Sequence, residues 1–69
     1  MSDAEIQSWI ARDKAASIGA SLQVGLKSGE LTPDAVKRVI RLARRTLKKS
    51  DVLALTFELA KAGYPEYSR

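Results

Sequence analysis

The segment from Thr32 to Lys49 constrains the fold more than any other, because it lays an apolar surface and a basic surface along one helical period. Val36, Val39, Ile40, Ala43 and Leu47 recur at three- and four-residue intervals. That spacing places side chains on one face of an α-helix. Lys37, Arg38, Arg41, Arg44, Arg45 and Lys48 occupy the positions between them and cover the other side. Thr32 supplies a cap, Pro33 suits the first helical position, and Asp34 favours the positive end of the helix dipole. A helix over 33–48 is predicted, with Lys48 and Lys49 at the C-terminal end where cations are favoured.

The N-terminal segment is less regular. Ser2 and Glu5, three residues apart, form the pattern of a capping box, and Asp3 and Glu5 suit a helix start. Ser28-Gly29 is a stop signal, so one helix over 3–27 is expected. Ala11, Ala15, Ile18, Leu22 and Leu26 make one stripe along it, while Ile6, Trp9, Ile10 and Val24 lie on nearly the opposite side. A straight helix with two apolar faces must bury both or break, and Arg12-Asp13-Lys14 and Gly19 are the candidate breaks. Burial of both faces in a dimer is the preferred reading. Ala15, Ala16, Gly19 and Ala20 would permit close helix contact. Gly19 and Gly25 each lower helix stability by about 1 kcal/mol relative to Ala.

Ser50-Asp51 reads as a cap for a third helix over 51–62. Val52, Leu53, Leu55, Phe57, Leu59, Ala60 and Ala62 wrap most of it, leaving Asp51, Ala54, Glu58 and Lys61 as a solvent strip. A helix this apolar is central or lies in an interface. Gly63 suits the C-terminal cap, Tyr64 can pack back over it, and Pro65 prevents continuation. Residues 64–69 are expected as a tail, with Tyr67 solvated. No segment alternates like a strand, and there is no repeat or linker. The fold class predicted is all-α, a single three-helix domain over 1–69.

Size makes such a domain marginal. A chain of 69 residues buries only about 60% of its unfolded surface. Without Cys or His, disulfides and the usual zinc sites are excluded as supports. Association is the remaining aid, and a twofold homodimer with a shared helical core is expected. The N-terminal residues lack a basic-then-apolar run, and no apolar run approaches the roughly 18 residues of a membrane span. A cytoplasmic location is therefore expected.

The charge is concentrated. The chain is +4 overall, but residues 32–49 hold seven cations against Asp34, a net of +6, while the flanking thirds are each −1. Such an arc matches an acidic protein surface or a phosphate backbone. It also matches a solvated face that keeps a small protein soluble. Arginine outnumbers lysine within it, which suits recognition of carboxylate or phosphate. It has no interleaved aromatic for base stacking. A helix-turn-helix fits badly, because its second helix should present polar residues to bases and here that helix is the most apolar one. A membrane-surface reading is weakened because the 36–47 stripe lacks Trp or Phe and is better read as core.

Trp9 and Tyr64 complete the candidate partner-binding set of Lys37, Arg38, Arg41, Arg44, Arg45 and Lys48. Trp9 reads either as an interface anchor or as core; Tyr64 reads either as an anchor or as a cap contact. Catalysis has little support, since the common general base and thiol nucleophile are absent. A Lys14–Ser17–Ser21 alignment is a chance spacing, and Asp3, Glu5, Asp34 and Asp51 are accounted for as helix starts. No cofactor loop or metal motif is present.

In length, lack of Cys and helical dimeric character, the chain resembles the small accessory proteins that bacteriophages and mobile elements encode to redirect host machinery. Among these it is similar to phage anti-quorum-sensing proteins, which bind a host transcriptional activator and block it from DNA. It is also similar to small bacterial regulators that form helical dimers and act through two-component systems. The segment Leu31-Thr32-Pro33-Asp34-Ala35-Val36-Lys37-Arg38 is ordinary helix-start chemistry and assigns no residue a family role. Both resemblances imply a non-enzymatic protein that binds and modulates another protein. Nucleic acid bound through the basic face is the alternative.

Overall fold

A computed structural model describes residues 2–68. In order, they form α1 (Asp3–Arg12), α2 (Ala15–Ser28), α3 (Pro33–Thr46), α4 (Lys49–Lys61) and a closing 3-10 turn, Pro65–Ser68. No strand occurs among the described residues. The all-α class holds, but four helices replace three.

The difference arises at Asp13. The capping box of α1 forms as expected: the Ser2 hydroxyl accepts from the Glu5 amide at 3.2 Å, and the Glu5 carboxylate accepts from the Ser2 amide at 3.3 Å. The bond from the Ser2 amide foremost, and a second from the Ser2 hydroxyl to the same carboxylate oxygen at 3.1 Å, hold the Glu5 carboxyl below its ordinary pKa. Ten residues on, the helix stops. Asp13 is extended at φ −108°, ψ 161°. Its carboxylate accepts from its neighbour's amide, Lys14 N, at 2.9 Å and from the Trp9 indole at 3.3 Å. A short acid that bonds the local backbone competes with helix continuation. The break also resolves the two apolar faces. Ile6 and Ile10 of α1 and Ile18 and Leu22 of α2 all enter one core. No second copy is needed to bury those four, although Val24 remains 57% exposed.

The tightest packing is between α2 and α4. A Cβ on Gly19 would stand 2.5 Å from the Leu55 carbonyl oxygen and 2.8 Å from Glu58 Cβ. The glycine thus admits the backbone of α4 where any side chain would hold it off. The close contact anticipated for the small residues of this segment is therefore made within the chain. Gly25 serves the next connection: Leu31 packs where its Cβ would be, and the Leu31 amide donates to the Gly25 carbonyl at 3.0 Å. Gly29, at φ 82°, turns the chain between them.

The α3 helix starts as read, with the Thr32 hydroxyl accepting from the Ala35 amide at 3.1 Å. It ends two residues early, at Thr46. Val36, Val39, Ile40 and Ala43 are buried, and Leu42 joins them. The α4 helix begins at Lys49, with Lys48 as its N-terminal flank and no side-chain cap. Ser50 and Asp51 thus lie inside its first turn rather than capping it.

Two expectations about the C-terminal third are corrected. The predicted solvent strip of α4 is not its outer face: Asp51, Ala54 and Glu58 are half-buried, whereas Leu53 is 56% and Phe57 60% exposed. The Gly19 contact explains this, since it seats α2 against Leu55 and the stem of Glu58. The loose tail is also ordered through Ser68; Arg69 lies outside the described residues. Gly63 at φ 100° reverses the chain, with its amide on the Ala60 carbonyl and the Tyr64 amide on the Leu59 carbonyl at 2.9 Å. This is a Schellman closure. It returns Tyr67 to the core, 7% exposed, with its ring 6.5 Å from that of Tyr64.

Replacing Gly19 tests the crossing. Alanine favours helix by about 1 kcal/mol. Overpacking costs about 1–3 kcal/mol and here meets backbone that cannot rotate away. Gly19→Ala should therefore lower the urea midpoint while far-UV circular dichroism stays helical. A raised midpoint would mean that the helices do not approach this closely.

Candidate binding surface

The amphipathic pattern of α3 fixes what its surface carries. With Val36, Val39, Ile40, Leu42 and Ala43 turned inward, Lys37, Arg38, Arg41, Arg44 and Arg45 are all exposed. Lys48 is exposed too, but it lies in the turn to α4 and not on α3.

These cations are not equivalent. Arg38 is tied to Asp3 at the start of α1 by an ion pair, with its Nε donating to Asp3 Oδ1 at 2.6 Å. It fastens α1 to α3, and its charge is partly answered within the chain. Lys37, Arg41, Arg45 and Lys48 have no ion-pair partner among the described residues. They carry the unbalanced charge.

Two grooves border this row. In the first, of about 300 Å³, Lys37, Arg41 and Arg44 stand over Ile40, opposite Glu66 and Tyr67. In the second, of about 320 Å³, Arg44 and Lys49 flank Leu47, Val52 and Leu53. Arg44 lines both, so basic and apolar surfaces run together where α3 meets α4. Neither groove is a closed pocket in which a reaction could be screened from water.

The other two candidates lie apart. Trp9, half-buried on α1, lines a separate cleft of about 320 Å³ with Ile6, Leu22, Leu31 and Val39. Its indole nitrogen is engaged by Asp13. Of the basic residues among those described, only Arg38 reaches that cleft. Tyr64 is half-buried against the core, consistent with the cap contact. The structure therefore gathers the cations along α3, brings only Arg38 of them to the Trp9 cleft, and does not join Tyr64 to them.

Leu53 and Phe57 are surface residues that the sequence pattern did not single out, and Tyr67, read as solvated or as a partner anchor, lines a groove instead. An α4 that is apolar all round carries no periodic signal for which side faces out. Tyr67 follows Pro65 in what reads as a tail, and only the Gly63 reversal returns it.

Burial raises the Tyr67 phenol above its ordinary pKa, and the charges of Glu66, Tyr64 and Asp34 add to the effect. A folded pKa above the unfolded one means that this contribution is complete below about pH 10 and is lost as pH rises through the folded value. The difference between the alkaline absorbance titrations of the native chain and Tyr67→Phe should show an ionisation above about pH 10. A midpoint at or below that value would place the ring in water.

No helix among the described residues is long and apolar enough to cross a membrane. No protein family, curated protein or solved structure matches this chain.

Proposed function

We propose that this chain is a small, non-enzymatic cytoplasmic regulator that works as a homodimer and docks its basic α3 face on an acidic surface of another protein. Occlusion of that surface changes the partner's activity. The observation supporting this most is the row of Lys37, Arg41, Arg45 and Lys48, exposed and without ion-pair partners among the described residues. A single-sign field of this kind speeds encounter with an oppositely charged partner. Guanidinium forks then pair bidentately with carboxylates. A DNA-binding transcriptional activator is the partner that the resemblance to anti-activator proteins implies.

Nucleic acid is the second reading, favoured by the same row, since backbone binding needs only charge and spacing. The helix after the basic one presents Leu53 and Phe57 outward. That composition suits a protein contact better than polar readout of base edges.

A titration against duplex DNA separates the two. Four phosphate contacts give a log–log salt slope near −3.6, or about a hundredfold loss of affinity between 50 and 200 mM salt. Protein docking predicts no such binding even at low salt. Tight, salt-sensitive binding that is abolished in Arg41→Glu/Arg45→Glu would replace the protein reading with the nucleic-acid one.

Asp3→Ala supplies a complementary gain of function. It frees Arg38, whose exposed pair with Asp3 contributes less than about 1 kcal/mol to stability. The fold should survive, and affinity for whichever anionic partner binds should rise by a few-fold. Unchanged affinity would place Arg38 outside the binding face.

A further inference from the structure

Leu53 and Phe57 stand one helical turn apart on the outer face of α4, 56% and 60% exposed. The exposed Ser50 and the half-buried Ala54 and Ala60 border the two side chains and frame an open apolar groove beside them. Leu47 and Val52 extend the groove toward α3. Of the three large apolar side chains left most exposed among the described residues, two are therefore side by side. Scattered exposed apolar residues are ordinary, but a contiguous strip rimmed by polar groups marks an interaction site.

We infer that this strip is covered by the same strip of a second copy, α4 against α4, antiparallel about a twofold axis between Leu53 and Phe57. The inference rests on the homodimer reading and assigns that dimer its surface and direction. A twofold contact uses one patch on both copies, so the patch must complement itself. Here it does. The small Ser50 and Ala60 at the two ends leave room for the large side chains at the centre, and Leu53 of each copy meets Phe57 of the other.

Charge sets the direction. The N-terminal end of α4 carries Lys48 and Lys49, and the C-terminal end carries Lys61. A parallel pair would gather Lys48 and Lys49 of both copies beside two positive helix ends. An antiparallel pair separates those clusters by about a helix length, roughly 20 Å for 13 residues. It sets Lys48 and Lys49 near the negative end of the other α4. In this register Lys61 stands level with Lys49 of the other copy, with the half-buried Asp51 the nearest acid at that end. Lys61 already bonds Glu58 at 2.7 Å and lies 5.2 Å from the Phe57 ring centre, so its charge is answered in part within its own chain before it meets that end.

The strip is smaller than the roughly 20–30 residues a side of a standard interface. The dimer is accordingly concentration-dependent, with dissociation in the micromolar range. It leaves Lys37, Arg41 and Arg45 of both copies open to solvent, because those residues lie on α3; Lys48, the fourth of the row, flanks α4 and comes near the other copy.

Sedimentation equilibrium of the full chain over micromolar to millimolar concentration tests the surface. The native chain should dimerise. Leu53→Glu/Phe57→Glu should weaken association at least a hundredfold with helical circular dichroism intact, since neither side chain is core. A chain monomeric throughout overturns both the homodimer reading and this interface. A dimer that survives the charged pair overturns the interface alone. Direction is read in the cysteine-free background. Ser50→Cys and Ala60→Cys, mixed and oxidised, should give the mixed disulfide, and each alone should give none. Homodisulfides of each, or no cross-link, overturn the antiparallel pairing. This result stands even if the charged variant fails to fold.

Discussion

The approach of α4 to Gly19 sets the arrangement of the remaining helices. With the Leu55 carbonyl 2.5 Å from where a Cβ would lie, the two helices meet backbone to backbone, and the rotation of α4 about its own axis is settled there. Leu55 and Leu59 turn inward and become fully buried. Thr56 follows, its hydroxyl satisfied by the Val52 carbonyl at 3.0 Å. The opposite side of the same helix must then face out, and on it lie Leu53 and Phe57. One missing methyl group thus closes the core and also leaves an apolar strip outside it. In a chain this small there is no further layer to cover the strip, because a short domain buries too small a share of its surface.

Most helix ends were legible in the sequence, the turn from α3 to α4 excepted, and helix orientations were only partly so. Ser2, Thr32, Pro33, Gly29 and Gly63 act where the reading placed them because caps and positive-φ turns are local chemistry. The inner face of α3 was equally readable, since burying its charges would be costly and only one orientation avoids that. For α4 no such penalty exists. Its apolar residues surround the axis, so its rotation is decided by the neighbour that comes closest, and that neighbour is 36 residues earlier in the chain. The break at Asp13 lies between these cases. The residue stood among the candidates, but choosing it over a continuous helix required knowing that Ile10 and Ile18 share one core.

The candidate site shows the same division. The row of cations followed from spacing alone. That Arg38 is partly withdrawn from it by Asp3, 35 residues away, is a tertiary fact with no local trace. Trp9 fell outside the row for a related reason: Asp13 ends α1 and binds the indole, so the side chain most typical of an interface anchor is drawn into holding a turn.

The basic and the apolar surfaces adjoin without coinciding, and this bears on how both are used. If one surface carried both the cations and the strip, a partner that covered the first would have to displace a second copy from the other. Here, of the four cations of the row that lack an ion-pair partner among the described residues, Lys37, Arg41 and Arg45 belong to α3 and the fourth, Lys48, flanks α4, while the strip belongs to α4. The two meet around Arg44, Leu47 and Lys49, where the grooves join. Self-association through α4 would therefore double the basic field presented to a partner rather than consume it. Two rows on one particle bind a target with two acidic patches far more strongly than one row can, provided that the spacing matches. The dimer would then select among acidic proteins by the distance between their patches, a discrimination that charge alone does not give.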